Sequence, residues 1–169
     1  SEMCIRDSRI SKENYYLNIA QTVLERATCL RRVYGAIIVK NDEIISTGYN
    51  GAPRGRVNCS QLGYCNREQL NIPSGQRYEL CRSVHAEANA IISAARRDMI
   101  GGTLYLVGRS AADGELLHDT TSCAMCRRMI INSGITRVVN RIGDDGIEII
   151  DVQNWIVNDE SIQPKAEAE

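Results

Sequence analysis

Two short motifs constrain this chain more than any other feature: His85-Ala86-Glu87 and, well downstream, Cys123-Ala124-Met125-Cys126. The first offers an imidazole and a carboxylate. The second offers two thiols three positions apart, so one helical turn brings both sulfurs to one point. One histidine and two cysteines form a borderline-soft donor set that suits Zn²⁺. For His85, Cys123 and Cys126 to share one ion, two distant segments must meet. Helices starting at each motif, with their N-termini facing one another, would achieve this, and their first-turn N–H groups would favour thiolate there.

Zinc with three protein ligands keeps a fourth position for water and lowers that water's pKa to about 7, which is the catalytic arrangement. Glu87 is then free to shuttle protons, taking one from water and delivering it to a ring nitrogen beside an amine-bearing carbon. An apolar, closed pocket has to oppose the acidifying effect of the nearby cation if Glu87 is to act as an acid. A structural zinc or a redox Cys-x-x-Cys is the competing use of the two cysteines; the His-x-Glu triplet favours catalysis. The signature of zinc nucleobase deaminases is His-x-Glu followed by Pro-Cys-x-x-Cys. Here Ser122 replaces the proline. Proline would preset the helix entry, and serine, a good N-cap residue, is expected to start the helix instead.

With 169 residues, 43% of them hydrophobic, the chain is expected to build one domain with a substantial core. A net charge of −1 and 5% aromatic residues give no basic, stacking-rich surface for nucleic acid. No apolar run approaches the roughly 20 residues of a membrane span, and no leader is evident, so a cytoplasmic protein is expected. The odd count of seven cysteines fits metal-bound thiolates in a reducing compartment better than a disulfide framework. Residues 1–10 read as a non-native or disordered extension, 11–158 as a single zinc-dependent deaminase domain, and 159–169 as a disordered tail.

Ser11 is expected to cap a helix spanning Asn14 to Thr28, with Tyr15, Ile19, Val23 and Ala27 as its buried stripe. Ala36–Lys40 and Glu43–Tyr49, joined at Asn41-Asp42, read as a hairpin. Residues 59–77 read as a long irregular segment, unusual unless functional or metal-bound. A helix over 83–97, a strand over 103–107, a second metal-bearing helix over 123–132 and strands over 137–140 and 147–152 complete the pattern. Such an order suits an α/β fold in three layers, α/β/α, with a mixed central sheet of about five strands.

These residues resemble the cytidine and deoxycytidylate deaminase family. The match runs over most of residues 11–145, through GAIIVKNDEIISTGYNGAPRG, HAEANAI, TLYLVG and CAMCRRMIINSGITRVV. The Tyr49 to Gly55 string is similar to deoxycytidylate (dCMP) deaminases in particular. The resemblance implies a cytidine deaminase-like fold and zinc-dependent conversion of dCMP to dUMP, feeding thymidylate synthesis. It also implies a homo-oligomer, a hexamer by preference, with dCTP as activator and dTTP as inhibitor.

By the same resemblance Glu87 is the catalytic residue and His85, Cys123 and Cys126 hold the catalytic zinc. Asn50, Ala86, Arg96, Arg32 and Tyr34 match substrate-contacting positions, Arg96 as a phosphate contact and Arg32 and Tyr34, beside Arg31, near another. Asn50 could equally be a turn asparagine, and each arginine a solvated surface residue. The loop of Asn50, Gly51, Pro53, Arg54 and Gly55 is a candidate cradle for an effector triphosphate with Mg²⁺, or simply a tight connection. Cys29 and Cys59 match ligands of a second, structural zinc; Cys65 and Cys81 are inferred to complete it, the alternative being inert buried thiols. Other readings are deamination of cytidine, guanine or tRNA adenosine, or a non-catalytic zinc-stabilised nucleotide-binding module.

Overall fold

The computed structural model describes residues 7–162. The expected extension and tail fall partly on residues 1–6 and 163–169, outside the described residues, as does Cys4. Among the described residues the order is α1 (Lys12–Val23), β1 (Arg32–Lys40), β2 (Glu43–Tyr49), α2 (Cys59–Leu62), α3 (Asn66–Gln69), α4 (Ala86–Ile92), α5 (Arg96–Met99), β3 (Thr103–Ser110), α6 (Ala124–Ser133), β4 (Arg137–Ile142), β5 (Gly146–Asp151) and α7 (Val152–Val157), with 3-10 turns at Leu24–Arg26 and Tyr78–Leu80.

The five strands form one sheet in the order β2-β1-β3-β4-β5. Only β3 and β4 run parallel, and α6 lies between them in the chain. Every other pairing is antiparallel, so the sheet is mixed. Alternation along the strands sorts side chains into two cores. Val33, Ile37 and Val39 of β1 join Tyr105 and Val107 of β3 against Tyr16, Leu17, Ala20 and Leu24. Ala36, Ile38, Leu104 and Leu106 point the other way, against Ala86 and Ala90 of α4 and Ile130 of α6. A strand buried on both faces reads as a continuous apolar run, as Ala36 to Val39 does. The three-layer expectation therefore holds.

Several local expectations shift. Ser11 caps α1 as expected, its hydroxyl accepting from the Asn14 N–H. The fully buried side of α1 is Tyr16, Leu17 and Ala20, one position off the expected stripe; Tyr15 is exposed, and Ile19, Val23 and Ala27 flank the core. The expected helix over 83–97 is two short helices, α4 and α5, parted at residues 93–95. The irregular segment contains the single-turn helices α2 and α3. No helix among the described residues is long and apolar enough to cross a membrane.

Three contacts fix α4 on the sheet. A Cβ at Gly48 would stand 2.3 Å from the Ala86 carbonyl oxygen and 2.4 Å from the Ala90 nitrogen, so only glycine lets the helix rest directly on β2. The Ser46 hydroxyl donates to the Ala90 carbonyl at 2.6 Å, and the Asn89 side-chain amide donates to the Tyr49 carbonyl at 2.8 Å. Glycine and two flanking polar groups thus set the position of the helix that starts at His85.

Candidate active site

His85 is the N-cap residue of α4 and Cys123 that of α6, while Cys126 sits in the first turn of α6. The two helix starts meet. His85 Nδ1 lies 3.5 Å from Cys123 Sγ and 3.4 Å from Cys126 Sγ. Among the described residues, these three are the group whose ligand atoms all lie within 4.8 Å of one another. The spacing and the N,S,S chemistry fit a tetrahedral zinc with one position left over.

Charge is shared within this cluster. Cys123 holds His85 on the protonated side, with a pKa raised to about 10, and Cys81 beside the imidazole adds to this against the opposing effect of burial. Cys126 and, against the cost of burial, His85 bring Cys123 down to about 4. Cys126, fully buried beside the Cys123 thiolate, is pushed up. A constellation that already stabilises one thiolate is suited to a cation.

Glu87, only 4% exposed, lines the same cavity. Burial raises its pKa, while a backbone hydrogen bond, His85 and the Ser122 hydroxyl oppose the rise. This is the environment a carboxyl needs to hold a proton beside a cationic site. Ser122 does not cap α6, because Cys123 occupies that position. The Ser122 side chain turns inward instead, 1% exposed, and its Oγ has no well-formed hydrogen bond of its own. Its carbonyl accepts from Arg127 Nε at 2.9 Å, which ties the α6 entry to the helix.

The cavity measures about 350 Å³, and His85, Glu87 and Cys123 line it. Tyr34, Asn50 and Arg32, the positions that the family resemblance marks for substrate contact, also line it. The Asn50 amide is partly committed to the fold: its Oδ1 accepts from the Tyr34 N–H at 2.7 Å and its Nδ2 donates to the Arg32 carbonyl at 2.9 Å. One lone pair and one N–H remain for a ligand. Ala86 is fully buried in the core and its side chain does not reach the cavity.

Arg96 is not brought to this cavity. The helix break puts it on α5, where it lines a separate groove with Met99, Met125 and Arg128, and its Nε donates to the Asn132 carbonyl at 2.8 Å. Gly51 pairs with Val84 through hydrogen bonds of 3.2 and 2.7 Å, anchoring its loop next to His85. Pro53, Arg54 and Gly55 lie exposed outside the cavity, in a turn closed by the Arg56 N–H donating to the Pro53 carbonyl and by Gly55 at φ +87°.

Cys29, Cys59, Cys65 and Cys81 gather on one side. Burial raises Cys59, and the three other thiols raise it further by their proximity. Their sulfurs are less tightly grouped than the His85 cluster. The segment carrying Cys65 and Cys81 also supplies Arg67 and Tyr78 to the lining of the cavity. No sequence pattern singles out either residue, since no periodicity marks an irregular segment; the available signal is an arginine and a tyrosine set among Cys59, Cys65 and Cys81.

The family model for the cytidine and deoxycytidylate deaminase zinc-binding region matches residues 10–141. The deoxycytidylate deaminase of Mycobacterium phage D29 is 37% identical over 137 residues, covering 78% of this chain and 95% of the relative. That of Schizosaccharomyces pombe is 34% identical over 131 residues, covering 78% of this chain and 37% of the longer yeast protein. The crystal structure of the dCMP deaminase of cyanophage S-TIM5 in complex with dCMP and dUMP aligns with a TM-score of 0.56 at 25% identity, covering 79% of this chain and 85% of that one.

Proposed function

The chain belongs to the cytidine and deoxycytidylate deaminase family, and on that premise we propose that it hydrolyses dCMP to dUMP and ammonia, supplying dUMP for thymidylate synthesis. The observation that carries this reading is a single cavity holding a His-Cys-Cys cluster of zinc spacing beside a buried carboxyl. Relatives named deoxycytidylate deaminases support the choice of substrate.

His85, Cys123 and Cys126 would hold the zinc. Bound there, zinc supplies Lewis acidity and an activated water at the open position. Glu87 takes a proton from the attacking water and passes it to the ring nitrogen next to the amine-bearing carbon. It then moves a proton to the departing amine, which leaves as ammonia. Asn50 orients the nucleotide through its spare amide valences, and Tyr34 closes the side of the cavity. Burial keeps Glu87 able to carry the proton between the two steps.

Three finer features belong to the same proposal. Cys29, Cys59, Cys65 and Cys81 hold a second, structural zinc, which their mutual proximity supports. The Asn50–Gly55 loop takes an effector triphosphate with Mg²⁺, dCTP activating and dTTP inhibiting. The protein works as a homo-oligomer, a hexamer by preference, in the cytoplasm, where its six cysteines among the described residues stay reduced.

The test is a spectrophotometric deamination assay comparing kcat/KM for dCMP, deoxycytidine and cytidine, each with and without dCTP and Mg²⁺. A clear preference for dCMP is expected. Equal rates on dCMP and deoxycytidine would reject the nucleotide assignment, and hyperbolic kinetics unaffected by dCTP would reject its regulatory part.

A further inference from the structure

We propose that Arg67, carried on the cysteine-bearing segment, is the residue that selects a nucleoside monophosphate over its nucleoside by binding the phosphate. The inference rests on the deaminase reading above and adds a specificity residue to it.

Three arginines line the cavity among the described residues: Arg31, Arg32 and Arg67. Arg31 is paired with Glu68 at 3.0 Å, and Arg32 reaches Asp119 at 3.4 Å with half of its side chain in solvent. Arg67 differs from both. It is only 6% exposed and has no carboxylate partner among the described residues. A buried guanidinium without a counter-charge is costly, and binding an anion removes that cost.

The side chain is also held still. Nε donates to the Gln76 carbonyl at 3.0 Å and one terminal nitrogen to the Pro73 carbonyl at 3.4 Å. The guanidinium lies over the Tyr78 ring at 4.5 Å. Tyr78 in turn meets His85 edge-on, with ring centroids 5.1 Å apart. Two of five N–H groups are thus used on backbone carbonyls, and the rest of the fork is left for a ligand. A planar fork fixed in advance suits phosphate oxygens, and less entropy is lost on binding because the group is already ordered. The stacked pair places this cation on the same wall as the imidazole of the metal cluster.

One competing role is visible. Arg67 acts electrostatically on Cys81, so it could serve to neutralise the thiolates of the cysteine group. The two roles separate by experiment. In Arg67→Ala, the ratio of kcat/KM for dCMP to that for deoxycytidine is expected to fall about 100-fold, as expected for losing a charge-assisted, forked contact. Arg67→Lys keeps the charge without the fork and should fall in between. Zinc content, measured by mass spectrometry, should match the unaltered protein in both variants. An unchanged ratio in both variants overturns the proposal, as does an equal loss on the two substrates accompanied by loss of zinc. If the unaltered protein does not deaminate dCMP, the substrate reading fails on its own. Arg67 is then judged by thermal stabilisation with dUMP against deoxyuridine: an advantage for dUMP that is lost in Arg67→Ala and reduced in Arg67→Lys supports the phosphate role, and one that persists in full in both variants, or no advantage at all, overturns it.

Discussion

A Cβ on Gly48 would stand 2.3 Å from the Ala86 carbonyl oxygen, so β2 touches the first turn of the helix that begins at His85. The obstructing atoms are backbone, which cannot swing aside. Gly48→Ala should therefore destabilise the fold by about 3 kcal/mol, as an overpacked core does. It should also lower kcat by pushing His85 and Glu87 away from α6. Chemical denaturation and steady-state kinetics check both effects, and a variant of unaltered stability would refute the close-packing argument.

Glu87→Gln keeps the shape of the side chain but removes the carboxyl that the proposed mechanism uses to carry protons. Deamination of dCMP should fall on the order of 10³-fold or more, the range for losing a general acid–base. Zinc content and the unfolding curve should be preserved. Near-normal activity in this variant would eliminate the proton-shuttle mechanism.

Metal analysis should find two zinc ions per chain. Cys126→Ser is expected to lose the catalytic ion and all activity, since two remaining ligands hold zinc poorly. Cys65→Ser is expected to lose the other ion while the His85 cluster stays loaded. One zinc per chain, unchanged by Cys65→Ser, would remove the second site.

Arg96→Ala should alter KM for dCMP by no more than about threefold, the size of an ordinary surface substitution. The reason is its placement on α5, bonded to the Asn132 carbonyl and outside the cavity. A tenfold or greater rise in KM would mean that a neighbouring copy delivers this arginine to the substrate.

Tyr16 is 4% exposed, and its hydroxyl donates to Asp42. Burial first, and the hydrogen bond to Asp42 second, push its pKa up to about 12. The folded protein thus holds this proton more tightly than the unfolded chain, whose tyrosines titrate near 10. The contribution is fully present below about pH 10 and is lost as pH rises through about 12. Stability measured across that window should fall less steeply in Tyr16→Phe than in the unaltered protein. Parallel curves would contradict the assignment.

Local features carried far in this chain. The β-branched runs, the Asn41-Asp42 turn and the Ser11 cap predicted α1, the hairpin and the three-layer order, because each depends on residues close together in sequence. His85, Glu87, Cys123 and Cys126 were legible for a related reason: donor chemistry and spacing leave few other uses for such a set. The family resemblance added Asn50, Arg32 and Tyr34, all of which line the cavity.

Other positions depended on contacts that no local pattern encodes. Residues 93–95 contain serine and two alanines, with neither glycine nor proline to stop a helix. The break there accompanies the docking of α5 near the end of β1: Met99 is buried in the core and Lys40 Nζ donates to the Arg97 carbonyl at 3.2 Å. Arg96 lies beyond that break and lines the other groove. Sequence preference makes Ser122 a cap, yet Cys123 takes that position and the Ser122 hydroxyl turns inward, beside Glu87.

The sequence by itself determined the layered fold and the donor set of His85, Cys123 and Cys126, and it pointed to Glu87 as the candidate proton carrier, since ligand type and short-range periodicity are properties of neighbouring residues. Tertiary structure alone decided that Arg67 lines the cavity and that Arg96 does not. Single-turn helices such as α3 have too few residues to show a period. Arg67 is held by the Pro73 and Gln76 carbonyls and by the Tyr78 ring, partners that only the folded segment brings around it.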